Sequence, residues 1–164
     1  MLACFTETNH QAVPIILVPV TDYPKWLAAQ ADAISNWLTT TQLIAEAGAV
    51  RLIPDAAGRI ARVVCCIDQP ENIWCAGHLP FTLPEGVYVL ENADAYYASY
   101  AIGWGLGAYQ FTRYKNPKRQ PAQLVLENKI AGPVRTIVES LYSVRDWINI
   151  PTDDMGPAEL AGVA

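Results

Sequence analysis

The stretch Val13-Pro14-Ile15-Ile16-Leu17-Val18-Pro19-Val20 is an unbroken apolar run, rich in β-branched residues and bounded by turn formers. A strand with one wet face alternates apolar and polar side chains, whereas a strand apolar at every position is covered on both faces. This run therefore predicts a central strand with layers packed above and below it. The residues after it support the same architecture. Thr21-Asp22 offers an N-cap and Pro24 an early helical position. Leu27, Ala31, Ile34 and Leu38 then recur at i, i+4, i+7 and i+11, which predicts one helix reaching to about Leu38.

Working outward, Val50-Arg51-Leu52-Ile53 and Ile60 to Ile67 flank the turn signal Pro54-Asp55-Ala56-Ala57-Gly58 and predict a hairpin. A short helical turn is expected over Glu71 to Gly77. Val87-Tyr88-Val89-Leu90 reads as another strand after the Pro84-Glu85-Gly86 turn, and Ala122 to Leu126 as a last one. Asn92 or Asp94 can cap a helix running from Ala95 to about Arg113. That segment carries no charge on any face as far as Phe111, so most of its circumference should be buried. Gly132-Pro133 is expected to open a final helix with an apolar stripe of Val134, Ile137, Val138, Leu141, Val144 and Ile148. Pro151 forces Ile150 out of the α region and stops it. The fold class is α/β, a mixed sheet flanked by helices on both faces.

Composition narrows the function classes. The chain has 164 residues, 52% hydrophobic and 16% charged, which suits one domain with its own core rather than a disordered chain. The net charge of -5 argues against a phosphate-backbone binder, which needs clustered Lys and Arg. The nearest basic cluster, Arg113-Tyr114-Lys115-Asn116-Pro117-Lys118-Arg119, reads better as a loop whose cations complement a helix C-terminus. No basic region precedes an apolar run at the N-terminus, and Glu7 sits where a signal peptide would be apolar. Ala95 to Phe111 holds too many polar and glycine residues to span a membrane. A cytoplasmic location without membrane attachment is the expectation.

Several constellations invite a site and fail on elementary grounds. Cys65, Cys66, Cys75 and His78 could form a Cys₃His zinc set, but neighbours on a strand point to opposite faces, so Cys65 and Cys66 should not share an ion. These three cysteines together with Cys4 show no disulfide framework. Gly103-x-Gly105-x-x-Ala108 has the spacing of a dinucleotide fingerprint. The residues before it read as helix rather than strand, so close helix packing is the better explanation. Asp153-Asp154 has no histidine, lysine or third acid nearby and reads as a solvated turn before a helix. His10 and His78 lie in unrelated segments, and no serine or cysteine has a base at a suggestive spacing. Trp26, Trp37, Trp104 and Trp147 are expected in the core or at a subunit interface.

Two motifs remain. Arg145-Asp146-Trp147-Ile148-Asn149-Ile150-Pro151, a short acidic loop and Gly156-Pro157-Ala158-Glu159-Leu160 form a helix stop followed by a new helix start. Gly103-Trp104-Gly105-Leu106-Gly107-Ala108-Tyr109-Gln110-Phe111-Thr112-Arg113-Tyr114-Lys115 is a helix of small residues ending in aromatics. In this order and at this distance the pair resembles the amino-terminal domain of the leucyl (cytosol) aminopeptidase family, where an Asn-x-Pro turn opens the catalytic half.

That resemblance implies a macro-domain-like fold for residues 1–150 and, in residues 151–164, the start of a catalytic domain whose remainder is absent. It implies a parent metallopeptidase that releases N-terminal residues from peptides, with two divalent metals (Mn or Zn) that polarise the scissile carbonyl and activate a water. The family's metal ligands lie beyond the Asn-x-Pro turn, in an Asn-Thr-Asp-Ala-Glu-Gly-Arg-like region with no counterpart here. Catalytic, cofactor-binding and metal residues are therefore expected to be none in this chain, which should be inactive alone. The implied partners are its own catalytic domain and the subunits of a hexamer, with peptide substrates met only through the missing domain. A stand-alone macro-like module binding a nucleotide or ADP-ribose is the alternative, and a DNA-contacting role conflicts with the acidic balance.

Overall fold

In the computed structural model the chain folds around a six-stranded sheet. The structure describes every residue except Met1, Asn9, Asp94, Lys118 and Ala164, and the side chain of Val163. The strands are β1 (Phe5–Thr6), β2 (Val13–Pro19), β3 (Val50–Pro54), β4 (Ile60–Ile67), β5 (Val87–Leu90) and β6 (Gln123–Val125), in the order β1-β6-β5-β2-β4-β3. All neighbours are parallel except the β3–β4 hairpin. Its turn is built as its residues require: Asp55 accepts from the Ala57 and Arg59 amides, and Gly58 takes a φ of +79°.

The apolar run holds the centre, paired with β4 on one side and β5 on the other. Its alternate side chains feed two separate cores. Ile15 and Leu17 join Val63, Cys65, Tyr88 and Leu124 under the later helices. Ile16 and Val18 join Val64, Cys66 and Ile53 under the early ones. Helices therefore cover both faces, and the expected α/β class with its mixed, macro-domain-like sheet stands. The edge strand β1 escaped sequence reading because two residues give no periodicity. Its register comes from pairing Phe5 with Leu124 and Thr6 with Val125.

Several helix boundaries differ from expectation. The helix expected to run to Leu38 is two, α1 (Tyr23–Ala28) and α2 (Asp32–Thr40), broken where Ala31 turns extended. The break lets α1 lie against β2 and α2 against β3, which a straight helix over a twisted sheet could not do. A 3₁₀ turn (Ile73–Ala76), whose Trp74 amide donates to Asn72, and α3 (Leu79–Thr82) follow β4.

Helix α4 spans Tyr97–Gly107, shorter at both ends than expected. Asn92 does not cap it. Its side chain accepts from the Leu17 amide at 3.0 Å and donates to the Leu17 carbonyl at 2.8 Å, extending the β2–β5 ladder by one side chain. Asp94, the other expected cap, lies outside the described residues. Helix α5 (Asn128–Asn149) begins four residues before Gly132, with Pro133 inside it. Burial of Ala131 and packing of Ile130 against the core outweigh the one hydrogen bond that Pro133 removes. As expected, α5 ends at Asn149 with Ile150 extended, and α6 (Pro157–Val163) opens on its proline.

Candidate functional site

Helix α4 is the element on which the two motifs converge. Its glycines at alternate positions serve two different neighbours. A Cβ on Gly103 or Gly107 would overlap a backbone carbonyl, of Ile73 and Gly77 respectively, so only hydrogen fits against the 3₁₀ turn. A Cβ on Gly105 would come within 2.7 Å of Val138 on α5 and 2.9 Å of Phe5 on β1. Trp104, between them, is fully buried and donates to the Ala122 carbonyl at 3.2 Å. The spacing that mimics a dinucleotide fingerprint is thus a packing device inside a helix, with no strand-to-helix turn for a phosphate to occupy.

The end of α4 is tied to the end of α5 by side chains from both motifs. Tyr142 donates to the Gly105 carbonyl at 2.6 Å and Arg145 to the Leu106 carbonyl at 2.6 Å, satisfying acceptors that a helix C-terminus leaves open. The Arg145 guanidinium lies 5.3 Å from the centre of the Tyr109 ring, which meets Tyr142 edge-on at 5.0 Å. The Tyr109 hydroxyl donates to Asp146 at 2.8 Å and accepts from Asn149 at 3.1 Å. Burial, then the hydrogen bond to Asp146, raise the Tyr109 hydroxyl above its ordinary range. Further on, Tyr114 donates to Asp154, one of the two acids noted in the sequence. A groove of about 550 Å³ opens beside this cluster, walled by Leu2, Phe111, Arg113, Trp147, Ile150 and Met155 among others. The cluster's polar groups are spent on one another, so the arrangement joins elements rather than activating a nucleophile.

The other sequence candidates separate. Cys65 and Cys66 face opposite cores. His78 does approach Cys65, with 4.0 Å between Nε2 and Sγ, a proximity that their spacing in sequence did not reveal. The pair is poised against thiolate chemistry. Burial pushes the Cys65 thiol up to about 12 and pushes the His78 imidazole below its ordinary value, so both groups are held neutral. Among the described residues no group of three or more His, Cys, Asp or Glu side chains could hold a metal ion. The described donors therefore do not gather as a two-metal centre would require.

The basic cluster is dispersed. Arg119 donates to the Phe81 and Leu83 carbonyls, Arg113 rests on the Tyr114 ring, and Lys118 lies outside the described residues. Of the tryptophans, Trp26 and Trp147 are half-buried, while Trp37 is partly exposed and donates to the Leu52 carbonyl on the edge strand β3.

The sheet reverses its winding between β2 and β5, where α/β folds place ligands at the carboxyl ends of strands. A crevice of about 330 Å³ lies there, lined by Leu17, Pro19, Ile67, Pro70, Asn92, Ala93, Ala95, Tyr96 and Tyr100. Asn92 is committed to Leu17, and Tyr100 donates to the Pro70 carbonyl. No cation among these described residues is placed to meet a phosphate. No described helix is long and apolar enough to cross a membrane.

A mixed sheet wound in both directions, a glycine-notched central helix and a long closing helix locked to it by aromatic and Arg-Asp-Asn contacts define a doubly covered α/β fold. The sequence profile of the M17 aminopeptidase N-terminal domain matches residues 13–127, and the chain belongs to that family. Among solved structures it is similar to the cytosol aminopeptidase of Coxiella burnetii, with 31% identity and a TM-score of 0.90. The match takes in 98% of this chain and 36% of that one. It also resembles the bottromycin maturation enzyme BotP, solved in complex with Mn, at 17% identity and a TM-score of 0.64, over 92% of this chain and 34% of that one. The second likeness shows the fold alone. The chain thus spans about a third of the length of both relatives. No curated protein matches it.

Proposed function

We propose that this chain is the non-catalytic amino-terminal domain of a leucyl-aminopeptidase-like metallopeptidase, and that the whole protein releases N-terminal amino acids from peptides. The observation that carries the reading is the lock between α4 and α5. The residues that make it, Tyr109, Tyr142, Arg145, Asp146 and Asn149, hold the Asn-x-Pro turn against the domain. The similarity to an intact cytosol aminopeptidase over nearly the whole of this chain supports it. In this reading residues 1–150 are the domain, and residues 151–164 begin the catalytic half. The two divalent metals (Mn or Zn) belong to residues beyond this chain, among whose described residues no such group of donors gathers. The protein acts in the cytoplasm as a homo-oligomer, a hexamer in the family it resembles.

The test is hydrolysis of a leucine anilide with Mn²⁺ or Zn²⁺ by residues 1–164, beside a chain continued through the downstream coding sequence. Activity only in the longer chain is the expected result. Turnover by residues 1–164 would place the metal site here and overturn the reading.

A further inference from the structure

The reversal of the sheet leaves a notch between β2 and β5, because β5 ends at Leu90, opposite Ile15, while β2 runs on to Pro19. Asn92 extends the ladder by one side chain, as far as Leu17. Beyond it Pro19 has no amide hydrogen, and its carbonyl accepts from the Asp22 amide at 2.9 Å, so the ladder is not continued there. What remains is the crevice of about 330 Å³, at the lower end of the range for small-molecule sites. It sits at the first turn of α4, about 15 Å along that helix from Leu106, where the exit end of α5 is locked.

The walls of this crevice select by charge. No lysine or arginine is among the described residues that line it, which disfavours a phosphate or carboxylate ligand. Asp68 and Glu71 are exposed and flank Pro70 of the wall. Their field reaches inward. Burial first, then Cys75, Tyr96 and Glu71, push the Tyr100 hydroxyl up to about 12. Burial, then Asp68 and Glu71, raise the neighbouring Cys75 thiol. Glu91, by contrast, is met by Arg62 at 3.5 Å. The Tyr96 and Tyr100 rings stand 6.0 Å apart with their planes at 45°, and Tyr96 is 38% exposed. An accessible ring in a negative field attracts a cation. A metal ion does not suit the site, since the described acids, thiols and histidines do not gather in threes. The charge has to arrive on a carbon framework that apolar walls accept.

We infer that this crevice binds a small organic cation, its ammonium group seated against Tyr96 with Asp68 and Glu71 supplying the opposite charge, and its apolar body filling the notch beside β2. The inference is independent of the function proposed above. Benzylammonium, benzyl alcohol and benzoate share a ring and differ in charge, so titrating each into the ¹⁵N-labelled chain at neutral pH tests it. Amide shifts should cluster at Glu71, Asn92, Tyr96 and Tyr100, with benzylammonium binding about tenfold tighter than the other two. Tyr96→Leu keeps an apolar side chain without the π face and should remove that preference. Asp68→Asn combined with Glu71→Gln should weaken benzylammonium severalfold and leave benzyl alcohol unchanged.

Equal binding of the three probes overturns the inference, as does tighter binding of benzoate. Shifts that fall outside the crevice, or none with any probe, overturn it too. So does a benzylammonium affinity untouched by the paired carboxylate substitutions, whose exposed positions leave the fold intact.

Discussion

At the scale of single residues, the glycines of α4 give the sharpest expectations. Alanine in place of glycine in a helix interior ordinarily gains up to about 1 kcal/mol. Gly132→Ala in α5, where a Cβ would meet nothing but its chain neighbours, should show less than that gain in urea unfolding, because Pro133 follows and crowds a Cβ on a helical predecessor. Gly103→Ala and Gly107→Ala should reverse the sign and cost about 3 kcal/mol or more, because each Cβ would overlap a carbonyl in a backbone that has to move as a unit. If all three substitutions stabilise, the close packing of α4 on the 3₁₀ turn is wrong. Tyr109→Phe removes the hydroxyl shared by Asp146 and Asn149 and should cost about 1 kcal/mol, read from the same unfolding curves.

At the scale of elements, β3 is an edge strand and would offer unpaired backbone groups to another chain. Trp37 of α2 covers one of them by donating to the Leu52 carbonyl at 3.0 Å. Trp37→Phe keeps the ring and frees the acceptor. It should cost about 1 kcal/mol and increase light scattering at high concentration. Unchanged stability and scattering would show that water satisfies Leu52 equally well. Helix α4 carries a pH dependence of its own. Burial holds the Tyr97 hydroxyl, which donates to the Val125 carbonyl, up to about 12 against 10.0 when unfolded. The folded state therefore keeps a proton that the unfolded state releases. Its contribution is complete below pH 10 and lost as pH rises from 10 toward 12. His78 works at the other end. Its folded value is depressed by burial, so its contribution is present above pH 6.5 and declines as pH falls below that. Chemical unfolding across pH should give a plateau that ends near pH 9, where the buried thiols of Cys4 and Cys65 ionise in the unfolded chain and not in the folded one. Tyr97→Phe should lessen the further fall above pH 10.

At the scale of the whole molecule, the two cores share the central strand β2, so the sheet and both helical layers should unfold together. Since no described donors gather around a cation, EDTA should leave the Tm of residues 1–164 within a degree. A fall of several degrees would reveal a metal that this fold depends on.

Much of this was legible in the sequence because local chemistry decides it. A strand apolar at every position has to be covered twice, so Val13 to Pro19 announced a doubly covered sheet. A proline disfavours α geometry in a predecessor that carries a Cβ, so the end of α5 could be read at Ile150, whereas Gly132 stays helical before Pro133. Turn chemistry placed the β3–β4 hairpin. The helix expected to run to Leu38 broke because its periodicity survives an interruption at Ala31, and only the twist of the sheet requires one. Asn92 took a ladder position instead of a cap because the Leu17 groups lay across from it, a partner 75 residues away. Similarly, Tyr109 and Asp146 were each visible as part of a motif, but not as partners. The sequence by itself determined which segments are strands, which glycines needed a reason, and which family the chain resembles, since those depend on neighbours in the chain. The tertiary structure alone decided which side of α5 is buried, what the glycines of α4 touch, and that the two motifs form one lock. Those are contacts between segments far apart in sequence, and no local preference encodes them.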